Sequence, residues 1–185
     1  LSDSVDGGLQ FHLNNCYGEQ LLSWSPRNYC QLIKYDALGR KTALLVKKMD
    51  EDAVVTADLL DQFPMVEQFV YGDHQGPREA EMDQNRFGQL AELYDLSGKM
   101  TYHRYDLLGN ATHTERQLVK EYKHGQKKYV ANWRNTVPLE KLSYAQQFGF
   151  NALGQVAQET APDGSVTDTR YNQAGQLFAI VVALP

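Results

Sequence analysis

Side chains able to do chemistry are scattered along the 185 residues. His103, His113 and His124 could act as acid–base groups or metal ligands near neutral pH. No Cys, Asp or Glu stands at a spacing that completes a site with both His103 and His113, so exposed strand positions are the default reading. Asp95 and Asp106 could imitate a hydrolase dyad, but a repeated turn motif already accounts for both. Asp50-Glu51-Asp52 suggests a calcium loop, yet an EF-hand needs Gly at loop position 6 and Val55 stands there. The favoured reading is a solvated loop. The stretch Arg116 to Arg134, with Lys120, Lys123, Lys127 and Lys128 interleaved with Tyr122, Tyr129 and Trp133, could bind nucleic acid or acidic glycans. A charged insertion is favoured there. Cys16 and Cys30 are too far apart for a CxxC motif, and two buried free thiols are favoured over a single bridge between them. There is no GxSxG elbow, no phosphate-binding loop and no dinucleotide fingerprint. The expectation is a chain with no catalytic residue, no cofactor and no metal.

Composition narrows the classes further. A net charge of −5 lacks the basic footprint of nucleic-acid binding. Eleven Tyr, seven Phe and two Trp supply more aromatic burial than a disordered chain carries. The best apolar run, Leu177 to Leu184, falls far short of the ~20 residues of a spanning helix. The first residues have neither the basic nor the apolar region of a signal peptide. A start at Leu1 instead of Met suggests a processed product or an excised piece of a longer protein.

What must position these residues is a repeat. Tyr35-Asp36-Ala37-Leu38-Gly39-Arg40 reappears as Tyr94-Asp95-Leu96-Ser97-Gly98-Lys99 and as Tyr105-Asp106-Leu107-Leu108-Gly109-Asn110. Phe150-Asn151-Ala152-Leu153-Gly154-Gln155 and Tyr171-Asn172-Gln173-Ala174-Gly175-Gln176 are further copies. An aromatic suits a half-buried strand end, Asp or Asn opens a turn, and Gly supplies the positive φ that the hairpin loop needs. Pro162-Asp163-Gly164 is a turn signal of the same kind. Gly88, Gly98 and Gly109 are spaced by 10 and 11 residues, as are Gly154, Gly164 and Gly175. That is the arithmetic of an antiparallel meander with strands of ~5–6 residues. Lys99 to Tyr105 and Ser165 to Tyr171 show no clean apolar face, which predicts a sheet wetted on both sides. The predicted fold is mainly β: antiparallel hairpin repeats forming a strip, with short helices or loops as insertions. One such helix is expected between Asp50 and Phe63, ended by Pro64.

At these residues the sequence resembles the YD-repeat (Rhs) family. The stretch Val70-Tyr71-Gly72, Asn85-Arg86-Phe87-Gly88-Gln89-Leu90, Tyr94-Asp95, Gly98, Tyr105-Asp106, Gly109-Asn110, Glu115-Arg116-Gln117-Leu118 and Tyr122-Lys123 is similar to the YD-repeat region of B components of insecticidal toxin complexes. The resemblance covers residues 30–182, with insertions at about 47–85 and 112–145, and leaves 1–29 unassigned. It implies a segment of a spiralling β-strip that closes into a hollow shell and encloses a cytotoxic polypeptide. The implied partners are the rest of the shell, a C-component-like toxin polypeptide and a translocation channel component, with assembly in the cytoplasm before secretion. Neither nucleic acid nor a membrane span belongs to that picture. Asn at 151 and 172 and Phe at 150 depart from the motif. The family's C-terminal protease signature, its β-propeller and the cargo segment have no counterpart here. An extracellular adhesion or glycan-binding YD-repeat module is the alternative role.

Overall fold

A computed structural model describes residues 2–4, 8–50, 54–74, 76–121, 123–124, 127–128 and 130–185. In chain order the strands are β1 (Ser2–Ser4), β2 (Gly8–Asn14), β3 (Gln20–Trp24), β4 (Tyr29–Tyr35), β5 (Lys41–Lys48), β6 (Met65–Tyr71), β7 (Leu90–Asp95) and β8 (Gly98–Tyr105). There follow β9 (Ala111–Val119), β10 (Lys123–His124), β11 (Lys127–Lys128), β12 (Leu139–Phe150), β13 (Val156–Thr160), β14 (Val166–Tyr171) and β15 (Leu177–Ala183). Two short helices, α1 (Ala57–Leu60) and α2 (Arg78–Asp83), and a 3-10 turn at Gly72–His74 lie between strands. The fold is mainly β and antiparallel, as the hairpin motifs predict. Among the described residues no helix is long and apolar enough to cross a membrane.

The chain divides into two compact units. One comprises Leu1–Phe69, Tyr94–Ser97 and Glu121–Pro138. Its strands run β1-β2-β3-β4-β5-β6, each beside its predecessor. Its core is Cys30, Ala43, Leu45, Met49 and Phe63, with Leu22, Trp24, Leu32 and Met65 packed around them. The segment between β5 and β6 closes over one sheet face. Thr56 caps α1 by accepting from the Leu59 amide, and Phe63 then drops fully buried onto the strands. This face is dry, contrary to the expectation of a sheet wetted on both sides. The lid that dries it is the segment expected to carry a short helix, and α1 lies in it with apolar Val55, Leu59 and Leu60 at its inner side.

The same unit holds the end of the second insertion. Asn132 accepts from the Met65 amide at 3.0 Å, the Trp133 amide donates to the Met65 carbonyl at 2.9 Å, and Ala131 and Val137 are buried. The other unit comprises Val70–Leu93, Gly98–Lys120 and Leu139–Pro185. Its strands run β7-β8-β9-β12-β13-β14-β15. Here the strands are mostly half-buried, and buried side chains are few: Ala91, Tyr105, Val119, Thr114 and Glu81. This unit fits the wetted sheet far better.

The insertions are tighter than the sequence suggests. Strand β6 lies inside the expected 47–85 insertion, and all of β9 but Ala111, with the start of β12, lies inside 112–145. Residues 1–29, unassigned from the motif, contribute strands β1, β2 and β3.

Candidate functional site: a ladder of clamped hairpin turns

Four of the motif copies build one turn. In the Asp36 copy, Oδ1 accepts from the amides of Leu38 and Arg40, both at 2.9 Å, while the Asp36 amide donates to the Arg40 carbonyl. The Gly39 amide donates back to the Asp36 carbonyl, and Gly39 sits at φ +76°. Asp106, Asn151 and Asn172 repeat each of these bonds, with Gly109, Gly154 and Gly175 all at positive φ. This is a type I turn closed by a left-handed glycine that bulges the hairpin. In register, Tyr35 faces Lys41, Tyr105 faces Ala111, Phe150 faces Val156 and Tyr171 faces Leu177, each with a bulge beside it.

Asp and Asn are interchangeable here because the turn uses Oδ1 as an acceptor. The second side-chain atom reaches the residue after Gly. Arg40 and Asn110 donate to the Asp carboxylates, whereas Asn151 and Asn172 donate to Gln155 and Gln176. Hydrogen bonds to the charged form lower a carboxyl pKa. The Asn110 amide and backbone donors hold Asp106 below the usual carboxylate range. At Asp36 partial desolvation pushes upward, but the bonds from Arg40 and Leu38 outweigh it and the net shift is downward. Asp163, in the Ala161–Ser165 turn, is lowered by the Ser165 hydroxyl and amide.

The tyrosines do something that the turn alone does not require. The hydroxyl of Tyr35 donates to the Gln20 carbonyl at 3.0 Å, that of Tyr105 to Leu90 at 2.7 Å, and that of Tyr171 to Val156 at 2.9 Å. The acceptor is always 15 residues earlier, at the first residue of a strand just past the preceding turn at that end. Each Tyr therefore fastens its own hairpin to the exit of the one before. Burial pushes the Tyr105 phenol up to about 12, with the nearby Tyr102 adding to the effect and Arg86 opposing it. It stays a neutral donor. Phe150 has no hydroxyl, so its turn lacks the clamp.

Successive turns also touch. In the second unit the Gln155 amide donates to the Gly175 carbonyl at 2.9 Å, and a Cβ added at Gly109 would lie 3.7 Å from Gln89. A Cβ at Gly154 would lie 3.9 Å from Asn110. In the first unit Glu19 occupies the corresponding place over Gly39. The polar residue closing one motif thus rests against the glycine of the next.

The fifth copy departs from this plan. Between Asp95 and Gly98 only Leu96 and Ser97 form the turn, with Ser97 donating its amide to Asp95 Oδ1. Gly98 is needed for another reason. A Cβ there would overlap the Gln117 carbonyl oxygen and lie 2.9 Å from Leu118 Cα. Close approach of β9 demands the glycine, at φ +146°.

The remaining chemistry-bearing residues fall into structural settings. His103 Nε2 lies 2.8 Å from Glu115 Oε2, and its ring meets that of His113 edge-on at 5.1 Å. Glu115 pairs across the sheet with Thr101, two residues from His103, and a bulge lies at His103 itself. The Ser143 hydroxyl and then His103 hold Glu115 below its usual range. Among the described residues no three His, Cys, Asp or Glu side chains are grouped to hold a metal ion. Glu81, buried on α2, takes a bidentate ion pair from Arg86 at 2.8 and 2.6 Å, and Arg86 also reaches the Tyr102 carbonyl. Asn85 donates to the Tyr105 carbonyl, which ties this insertion to the motif tyrosine. Cys30 is buried and free, and burial raises its thiol pKa. Cys16 is free but exposed, in contrast to the two buried thiols expected, because it occupies a turn tip. Of the basic stretch, Trp133 is committed to the fold: its indole donates to the Asp95 carbonyl and its ring packs on Tyr94 at 4.8 Å. Tyr122 and Tyr129 lie outside the described residues, as do Glu51 and Asp52 of the acidic run, and no side-chain placement is assigned to His124, Lys123, Lys127 or Lys128.

No protein-family model and no curated protein matches the chain. Solved structures do. A TcdB2-TccC3 crystal structure aligns over 98% of this chain at 24% identity, with a TM-score of 0.78. A TcdB2-TccC3-Cdc42 structure aligns with the same coverage, identity and TM-score, as does a Photorhabdus luminescens Tc holotoxin pore. The chain has the fold of a toxin-complex segment. It spans about 8% of the length of each of these matched chains.

Two turns of the same ladder escape the motif. Asn15 makes every bond of the Asp36 turn, with the amides of Tyr17 and Glu19 on Oδ1 and Gly18 at φ +85°. Its preceding residue is Asn14, so the aromatic signal is missing, although Asn-x-x-Gly remains readable at 15–18. At the opposite strand ends, Ser25 to Tyr29 closes a similar loop with Asn28 at φ +60° in place of glycine.

Proposed function

We propose that the chain is a structural, non-catalytic segment of a YD-repeat shell that encapsulates a cytotoxic polypeptide in an insecticidal toxin complex. The observation that carries this reading is the recurring turn with its tyrosine clamp fifteen residues back. Three of the hairpins are fixed to their predecessors by the same few bonds, a pattern that can be extended strand after strand into a wall. A fold shared with TcdB2-TccC3 over 98% of the chain supports the same assignment. The partners that follow are the rest of the shell, a C-component-like toxin polypeptide as cargo and the translocation channel component. Assembly in the cytoplasm and later secretion is the matching route. An adhesion or glycan-binding role has less support, since Trp133 is spent on internal packing.

Limited proteolysis of the full-length parent polypeptide, expressed with its cargo, tests this. The enclosed cargo is expected to survive protease until the shell is unfolded. Digestion of the cargo at the rate of the free polypeptide would refute enclosure.

A further inference from the structure

On one face of the second unit a row of side chains crosses β8, β9, β12 and β13. Arg104 stands opposite His113, His113 opposite Gln147, and Gln147 opposite Thr160. The bulge on β8 sets both His103 and Arg104 against His113. Both turn to this face: the His103 ring meets His113 edge-on, and Arg104 lines a groove beside it. The next position of β12 on the same face is Gly149, which has no side chain to fill the space. A groove of about 270 Å³ opens there, and Gln158 forms its far wall.

The acids around this groove are satisfied, while its cation is not. Glu115 is bonded by Ser143 and His103. Asp168, opposite Gln158 on β14, accepts from the Gln158 amide at 2.9 Å. Among the described residues the side chains of Arg104, Gln147 and Thr160 have no hydrogen-bond or ion-pair partner. An unpaired guanidinium beside an imidazole, a carboxamide and a hydroxyl suits one carboxylate followed by uncharged amides. Three strand spacings make the row roughly 14 Å long, the reach of about four extended residues. A nucleic acid would need several cations. Here one guanidinium is followed by neutral groups and then by Asp168, in a chain of net charge −5. We infer that the groove binds an extended peptide segment, with one acidic side chain on Arg104 and His113 and its backbone amides on Gln147 and Thr160. This goes beyond the shell reading and does not depend on it.

Peptide binding to the 185-residue chain, read by fluorescence anisotropy at low salt, tests it. The probe is a blocked pentapeptide of glycine and serine around one central glutamate, carrying a neutral dye. Arg104→Gln is expected to weaken binding at least ~10-fold, as is exchanging the glutamate of the peptide for glutamine. The two changes together should cost no more than either alone, because they remove the same ion pair. Lys141→Gln removes an exposed cation elsewhere on β12 and should leave the affinity within ~2-fold. Gln147→Ala, also at an exposed position, should cost ~3-fold and keeps a readout should Arg104→Gln not fold. Equal binding of the glutamate and glutamine peptides would overturn the proposal, as would wild-type affinity in Arg104→Gln or in Gln147→Ala. Displacement of the probe by a short RNA at a lower concentration than by unlabelled peptide would mark a polyanion site and overturn it too.

Discussion

The Tyr105 hydroxyl donates to the Leu90 carbonyl across 2.7 Å, and the same bond recurs at Tyr35 and Tyr171. A phenol held this way supplies both an aromatic body for the sheet and a buried donor. Removing only the hydroxyl leaves a strand carbonyl without its partner. Tyr105→Phe is expected to lower unfolding stability by about 1–2 kcal/mol, read as a shift in the urea midpoint. Phe150→Tyr should be neutral to stabilising by up to about 1 kcal/mol, because β12 pairs with β9, whose first residue after the preceding turn, Ala111, offers the equivalent carbonyl.

The glycines of the motif are not equivalent. Gly98→Ala meets the backbone of Gln117 and Leu118, which cannot step aside. A loss of at least about 3 kcal/mol is expected, in the range tied to severe steric mechanisms. Gly18→Ala meets nothing within 4 Å and faces only its positive φ, a cost of about 1–2 kcal/mol. Thermal melts of the two variants should separate them clearly.

Glu81 and Arg86 form a largely buried pair, with side chains 6% and 17% exposed. Glu81→Gln leaves a guanidinium without its countercharge, and a loss of about 3 kcal/mol is expected. The buried pair also fixes Asn85 beneath Tyr105. Hydrogen exchange at the β8 amides should therefore speed up in the same variant.

Acid should loosen the turns. Asp36, Asp106, Asp163 and Glu115 all have carboxyls held below their ordinary values in the folded chain. A depressed folded value means that the stabilisation is present above the unfolded pKa of ~4 and is lost as pH falls through the folded value. Melting temperature is thus expected to hold steady from neutral pH to about 5 and to fall below ~4. Asp106→Asn keeps the Oδ1 acceptor, as Asn151 and Asn172 already do. That variant should flatten part of the acid limb while folding normally at pH 7, and an unchanged acid limb would count against the turn as its source.

Strand β15, Leu177-Phe178-Ala179-Ile180-Val181-Val182-Ala183, has no charge and no proline, and all but Ala179 are exposed. Its only strand partner among the described residues is β14. An uncharged edge of this kind templates pairing with another chain. Residues 1–185 expressed alone are expected to associate at micromolar concentration, and Val181→Lys should shift sedimentation toward monomer. A wild-type chain that sediments as a monodisperse monomer would contradict this.

How much of this was legible in the sequence follows from where each signal lives. The Asp36, Asp106, Asn151 and Asn172 turns are local: five residues specify them, and the motif displays all five. The Asn15 turn is equally local but hides behind Asn14, because the aromatic belongs to the clamp and not to the turn. The clamp itself spans fifteen residues and two strands, so Tyr105 to Leu90 can be seen only once strand lengths and register are fixed. The same holds for Gly98, whose glycine is demanded by β9 across the sheet. Glu115 meets His103 across the β8–β9 pairing, whose register is set by contacts between strands and not by sequence spacing. The dry face of the first unit comes from Phe63 and α1 folding back, a tertiary event that strand patterning does not encode. Cys16 reads as a buried thiol by type, yet its place at a turn tip exposes it.

The central claim is that residues 1–185 form one stretch of a continuous β-wall. Cryo-electron microscopy of the intact parent polypeptide tests it most directly. The account predicts that these strands run uninterrupted into flanking hairpins of the same strip, enclosing density for the cargo, with the Tyr35, Tyr105 and Tyr171 clamps in place. A map that shows this segment folded apart from any β-wall, or as a separate domain on the outside of the particle, would contradict it.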